Sequence, residues 1–195
     1  MKSILLKSII IFSLMYFLTG CSSTPKRLDF AEDMVADSGE LTPYELEKSA
    51  KRLANSIAEY FKKNPNKDGI FVALLPTKNN TSEDIPVKVF DNTLVDELLK
   101  HKIYTVRTEN RKQSLKEIEF SMTGLTENEL SIGKMKSPNY FIKTDIDENI
   151  YSSGGDKIVE QVINIELREV TTQLVKWSDR VKYRKKAVSS GGVGW

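Results

Sequence analysis

The sequence predicts an α+β fold: a single domain with a mixed, mostly antiparallel sheet, a C-terminal three-stranded meander and flanking helices. Three observations predict it. A helix-capping sequence at residue 42 opens a stretch with apolar residues at helical spacing, a short apolar run at 69–76 is typical of a buried strand, and apolar and polar residues alternate along much of 140–187. We therefore expect helices and short strands in alternation, followed by the meander.

The first predicted helix begins at Thr42-Pro43-Tyr44-Glu45. Threonine caps helices well, proline fits the first helical position, and a glutamate three residues after the cap closes a capping box. Apolar residues then recur every three or four positions as far as Phe61, and Asn64-Pro65 ends the pattern. The apolar face of this helix could bind a partner, but we favour packing on the domain's own sheet.

The middle of the chain alternates short strands with helices. It predicts a buried strand at 69–76, then a polar loop at 79–84, whose Thr, Ser and Asp residues could cap the next helix at 85–100. A strand at 103–107 and a helix at 108–124 follow. A capping box at Thr126 then opens a short helix that ends at Ser137-Pro138. Leu115, Ile118 and Met122 fall in phase along the helix at 108–124. His101, the only histidine, falls at a helix end, where a cation suits the helix dipole.

The last third of the chain predicts the meander, with a hairpin loop at 152–156 and a turn at Thr171-Thr172. The final strand, at 174–187, has two different sides. Val175, Trp177, Val181 and Tyr183 form an apolar side that we assign to the core. Lys176, Arg180, Lys182 and Arg184 form the other side, with no acid in phase. This charged side is either a solvated face that protects an edge strand or a surface that binds an acidic partner.

The N-terminus has the features of an export signal. Two lysines precede an apolar run at 8–18, which is shorter than the ~20 residues of a membrane-spanning helix. The run closes with Leu18-Thr19-Gly20-Cys21, which resembles the bacterial lipobox. The resemblance implies that residues 1–20 are removed as a signal peptide and that Cys21 is acylated. We expect a flexible tether at 21–41, the folded domain at 42–188 and a Gly/Ser-rich tail at 189–195.

Composition argues against several classes of function. The full chain carries a net charge of +2, and removal of 1–20 takes away two lysines and no acid, so the mature chain is neutral. A neutral chain does not favour nucleic acid as a partner. With one cysteine and one histidine, the sequence has no set of residues for a Cys/His metal site, and no motif places a nucleophile beside His101. We expect no metal, no cofactor, no small-molecule substrate and no catalysis.

Three stretches together resemble the LpoB family of bacterial lipoproteins, within the CsgG-like and TolB-N-terminal-like fold group. They are FVALLP at 71–76 running into NNTSEDI at 79–85, IGK at 132–134 with YFI at 140–142, and LVKWSD at 174–179 with Leu167 before it and Lys182 and Lys185-Lys186 after it. The resemblance implies a protein anchored in the outer membrane by lipid, facing the periplasm, that binds and activates a class A penicillin-binding protein. The alternative is a CsgG-like component of an envelope assembly or secretion apparatus.

The candidate partner-binding residues come from two places in the sequence. One is the charged side of the final strand, with Lys176, Arg180, Lys182 and Arg184, and the other is the polar loop, with Asn79, Asn80 and Thr81. Electrostatic docking through such residues would steer an acidic patch on the partner.

We predict that protein extracted from native membranes begins at Cys21 and carries lipid, because the lipobox ends at the only cysteine. Intact-mass spectrometry should find the mass of residues 21–195 plus acyl chains, and Cys21→Ala should give an unacylated product. An unmodified Cys21, or cleavage at another residue, would contradict the prediction.

Overall fold

Three helices and six strands make up the part of the protein that the computed structural model describes, residues 41–67, 69–106, 110–127 and 130–186. In chain order they are α1 (Pro43–Lys63), β1 (Phe71–Leu74), β2 (Lys78–Asn80), α2 (Val87–Lys100), β3 (Tyr104–Thr105), α3 (Arg111–Ser121), β4 (Tyr140–Ser153), β5 (Asp156–Glu169) and β6 (Val175–Lys186). The predicted signal peptide, Cys21 and nearly all of the tether lie outside the described residues, as does the tail. None of the described helices is long and apolar enough to cross a membrane.

The strands form one mixed sheet in the order β3-β1-β4-β5-β6. β1 is parallel to β3 and to the start of β4, and β2 continues along the same edge of β4, again in parallel. β4, β5 and β6 form an antiparallel meander. The predicted α+β fold, with its mostly antiparallel sheet, C-terminal meander and flanking helices, is confirmed.

α1 begins where the sequence predicts. The Thr42 hydroxyl accepts a hydrogen bond from the Glu45 amide at 3.2 Å, and the Glu45 carboxylate accepts one from the Thr42 amide at 2.9 Å. The predicted apolar face is buried in the core, with Leu46, Leu53 and Ile57 inaccessible to solvent. α1 packs against α2 and β6, so its apolar face belongs to the domain's own core.

Polar contacts also join α1 to β6. The Tyr183 hydroxyl donates to the Glu45 carbonyl at 3.1 Å and lies 2.8 Å from Ser49 Oγ, and burial raises the pKa of this tyrosine. Lys185 Nζ lies 2.7 Å from the Glu45 carboxylate. Further along the helix, Arg52 donates to the Arg180 carbonyl at 2.9 Å. The helix therefore holds the last strand at several points along its length.

Two expectations for the segment between β1 and α2 are wrong. The polar loop begins with strand β2, whose Asn79 lies opposite Ile146 of β4. Pro86 is the residue that caps α2, and no side chain caps its first turn. α2 begins at Val87, so the expected caps among residues 81–84 precede the capping position, and the Thr81 hydroxyl is hydrogen-bonded within the loop to Asn79 and Glu83.

α3 forms close to its predicted position but does not face the core. Leu115 and Met122 are 50% and 47% exposed, and Ser121 is the buried residue of the helix. α1 and α2 already cover the apolar face of the sheet, and β3 at its edge is only two residues long, so little apolar surface remains for α3. The short helix predicted after Thr126 is wrong for residues 130–138, which are not helical.

The apolar side of β6 follows the prediction except at the first residue of the strand. Trp177, Val181 and Tyr183 pack against the core, whereas Val175 is 47% exposed. A register shift between Leu167 and Arg168 disturbs the pairing just before this point. Such an irregularity breaks the two-residue alternation on which the assignment of Val175 rested.

We predict that Tyr183→Phe destabilises the domain by about 1–2 kcal/mol, since it removes the hydroxyl that joins β6 to Glu45 and Ser49. Urea unfolding of the variant and the wild type measures the change. Tyr151→Phe is the matched control, because Tyr151 is exposed and should cost less than about 0.5 kcal/mol. Equal losses from the two variants would contradict the structural role of the Tyr183 hydroxyl.

Candidate partner-binding surface

The sheet has an open face, the side turned away from α1 and α2. Val181 and Tyr183 point to the core, so the residues that alternate with them lie on the open face. Four cations of β6 share this position along the edge of the sheet: Arg180, Lys182, Arg184 and Lys186. We call these four residues the cationic row. Sequence reasoning left Lys186 out of the candidate residues, although the alternation from Arg180 would have included it.

Lys176 does not belong to the cationic row. Its ammonium group lies 3.3 Å from the Glu169 carboxylate. It is also close enough to Tyr60 of α1 to affect that tyrosine, whose pKa is raised chiefly by burial and partly lowered by Lys176. The expectation that Lys176, Arg180, Lys182 and Arg184 share one face is therefore wrong for Lys176, which follows the irregular pairing at the start of β6.

An acid from the neighbouring strand pairs with the cationic row. Glu160 of β5 lies opposite Arg184, accepts a hydrogen bond from its Nε at 2.6 Å and is 3.8 Å from Lys182 Nζ. The hydrogen bond from Arg184 is the main cause that holds the pKa of Glu160 below its usual value, and it raises the pKa of Arg184. β6 itself has no acid in phase with these cations, as the sequence indicates, and the acid that neutralises them comes from β5.

The cations of the row differ in how far their charges are neutralised by acidic side chains. Arg184 is bonded to Glu160, and Lys186 lies 2.8 Å from Asp156. Within the described ranges the guanidinium of Arg180 forms no ion pair, although its backbone is bonded to Arg52 and Asp179. Arg180, which has no ion pair there, and Lys182, whose ion pair with Glu160 is the longest of the row at 3.8 Å, are therefore the least neutralised cations of the row.

The polar loop is held together by its own side chains. The side-chain oxygen of Asn79, Oδ1, accepts hydrogen bonds from the Thr81 backbone amide and hydroxyl at 3.0 and 2.8 Å, and the side-chain Nδ2 of Asn79 donates to the Glu83 backbone carbonyl at 2.7 Å. These bonds are typical of an Asx turn, which fixes the loop backbone. The structure gives Asn79 and Thr81 a role in shaping the loop, and their predicted contact with a partner stays a prediction.

Asn80 connects the loop to the open face. The side-chain Nδ2 of Asn80 donates to Asp147 Oδ1 at 2.7 Å, and the side-chain Nδ2 of Asn164 donates to Oδ2 of the same carboxylate at 2.8 Å. Asp147 lies opposite Val162, which in turn lies opposite Lys182. The fold thus brings Asn80 and the cationic row onto one face of the sheet, about 14 Å apart across three strand spacings.

The described ranges bear on metal binding and on the single histidine. No group of three or more His, Cys, Asp or Glu residues there is placed to hold a metal ion. His101 lies at the end of α2, where its Nε2 is 2.8 Å from the Asn55 side-chain oxygen. This contact gives the histidine a structural partner.

A family model described as the peptidoglycan-synthase activator LpoB matches residues 45–183. The chain belongs to the LpoB family. This membership confirms the resemblance identified from the sequence, and the family is one of activators of peptidoglycan synthesis. Nothing in the comparisons favours the CsgG-like alternative.

Several solved structures are similar to this chain, all at low sequence identity. The LpoB C-terminal domain from Escherichia coli is 11% identical, with a TM-score of 0.43 over 72% of this chain and 98% of that one. The corresponding domain from Salmonella enterica is 14% identical, with a TM-score of 0.42 over the same shares. The NMR structure of E. coli LpoB is 10% identical, with a TM-score of 0.44 over 87% of this chain and 82% of that one. No curated protein matches the chain.

We predict that the ion pair of Glu160 makes stability depend on pH in the acid range. The folded-state pKa of Glu160 is lowered from 4.5, so its contribution is fully present above that value and is lost as pH falls through the folded pKa. Glu160→Gln should therefore flatten the acid limb of the stability curve measured by urea unfolding at several pH values. Glu119→Gln, at an exposed position of α3, is the control and should keep the wild-type curve. An unchanged acid limb in Glu160→Gln would contradict the prediction.

Proposed function

We propose that this chain is a lipid-anchored, non-catalytic regulator that binds a class A penicillin-binding protein at the outer-membrane side of the periplasm and raises its synthase activity. The observation that carries the proposal is the match to the LpoB family over 45–183, which spans nearly the whole described fold. The lipobox-like sequence ending at Cys21 supports the lipid anchor.

The regulator needs no reactive group of its own. A protein that binds the active conformation of a synthase more tightly than the inactive one shifts the population towards activity. Such binding requires a surface of fixed shape and charge. The cationic row fits this need because α1 holds β6 at Glu45 and Arg52 and the sheet fixes the spacing of the charges.

The position of α1 limits how far the domain can extend from the membrane. α1 is packed into the core, so the reach comes from the proposed tether at 21–41 alone. With no part of it docked, a coil of this length spans about 25 Å on average and about 70 Å at full extension. The proposal therefore requires a synthase whose docking region extends towards the outer membrane.

We predict that Arg180→Glu with Lys182→Glu lowers affinity for the purified synthase about tenfold or more at low salt, because these two cations are the least neutralised of the row. High salt should narrow the difference, since screening weakens electrostatic steering. Surface plasmon resonance measures binding, and the thermal midpoint should stay within a few degrees of wild type. Lys48→Glu with Lys88→Glu, exposed positions on the helix side, makes the same charge change and should bind normally.

The results separate the docking surface from the function. Wild-type protein should raise the rate of glycan-strand polymerisation by the synthase. If wild type binds and activates but the Arg180/Lys182 variant does so equally well, docking uses another surface. If wild type neither binds nor activates any class A synthase of its cell, the proposed function is wrong.

A further inference from the structure

An open cavity of about 730 Å³ lies between α3 and residues 130–136. Ile118, Leu130 and Met135 supply its apolar wall. The wall is fixed by Ser121, whose buried hydroxyl accepts a hydrogen bond from the Leu130 amide at 3.0 Å and donates to the Ile118 carbonyl at 2.7 Å. The cavity is thus a feature of defined shape, in the size range of sites that bind ligands.

The rim of the cavity is cationic. Arg111, Lys134 and Lys136 line it together with a single acid, Glu117. Arg111 donates to the Lys136 carbonyl at 3.3 Å, and the Lys136 ammonium lies 5.4 Å from the centre of the Phe71 ring. These contacts hold the positive groups around an apolar floor, and an occupant with apolar and acidic groups would complement both.

The two segments that line the cavity, α3 with its C-terminal end and residues 130–136, also carry exposed apolar side chains. Leu115, Phe120, Met122 and Ile132 are each between 47% and 72% exposed. Single exposed apolar residues are ordinary, but a concentration of them in one short region marks a surface that another polypeptide covers. The occupant is therefore expected to be a polypeptide segment larger than the cavity itself.

The chain itself contains a segment of matching chemistry at 28–37, LDFAEDMVAD. At helical spacing its apolar residues share one side, and its acids share the other. The apolar side comprises Leu28, Phe30, Ala31, Met34 and Val35, and the acidic side comprises Asp29, Glu32, Asp33 and Asp37. A flexible tether needs no such separation, whereas a helix that docks on a cationic, apolar surface does.

Within one molecule the sheet separates the start of α1 from the cavity by more than the link between the segment and α1 can span. α1 begins beside Tyr183 of β6, whereas the cavity adjoins Thr105 of β3, four strand spacings away and eight residues further along β4. These offsets amount to about 30 Å. The link from Asp37 to Leu41 spans at most about 14 Å.

We propose that the cavity binds residues 28–37 of a second copy of this chain, with the apolar side against Ile118 and Leu130 and the carboxylates against Lys134 and Lys136. Reciprocal exchange of the segment closes a symmetric dimer. The association needs no synthase, so it stands independently of the proposed function.

Disulfide trapping in the full chain, in its native membrane, tests the proposal. Met34→Cys with Ser114→Cys places one thiol in the segment and one in the lining of the cavity. Mild oxidation should give a covalent dimer. Met34→Cys with Lys157→Cys, at the β4–β5 hairpin, is the matched control and should stay monomeric. A disulfide within one molecule, no disulfide, or equal dimer in the control would overturn the proposal.

A charge exchange provides the second test. Lys134→Glu with Lys136→Glu should lower the yield of the trapped dimer at least severalfold, and adding Asp33→Lys with Asp37→Lys should restore it. Circular dichroism checks that each variant is folded, and the exposed positions of the two lysines make this outcome expected. A yield of trapped dimer that stays at the wild-type level in both variants would contradict the role of the cationic rim.

Discussion

Coverage of only one face of the sheet is the constraint on which the rest of this structure depends. α1 and α2 bury the apolar side of the sheet, including Ile142, Ile146, Ile163 and Leu167. Much of the opposite side meets water, so the strands of the meander must alternate apolar with polar residues. The same alternation that builds the core therefore places Asn80, Asp147 and the cationic row together on the open face. The candidate surface is a direct consequence of how the core is made.

Much of the fold could be predicted because its signals are local. The capping box of Thr42 and Glu45 involves residues three apart, and the alternation of apolar and polar residues in the meander occurs within each strand. β2 gave no such signal, since three polar residues, Lys78-Asn79-Asn80, become a strand only because β4 offers them a partner. α3 carries a genuine helical pattern, yet the pattern does not reveal that the sheet has little apolar surface left to cover.

The candidate surface was harder to predict because it is assembled across strands. The set of four cations was predicted from the alternation within one strand, in which Lys176 and Arg180 should lie on the same face. The irregular pairing near Arg168 places Lys176 off that face. Glu160 precedes Arg184 by 24 positions, so its pairing depends on the β5–β6 register, which no single strand encodes. Sequence reasoning identified the right strand and the right face for three of the four cations. It could not identify how each of them is neutralised.

The bond from Arg52 to the Arg180 carbonyl has a consequence for β6 as the edge of the sheet. A twelve-residue edge strand presents a row of backbone groups to which another strand could add. Here a guanidinium from α1 occupies one of those acceptors near the middle of the strand, and the neighbouring cations repel an identical edge. Both features disfavour the pairing of two copies along β6 into a continuous sheet. The strand can therefore present its charges at the edge of the sheet with a reduced tendency to recruit a second strand.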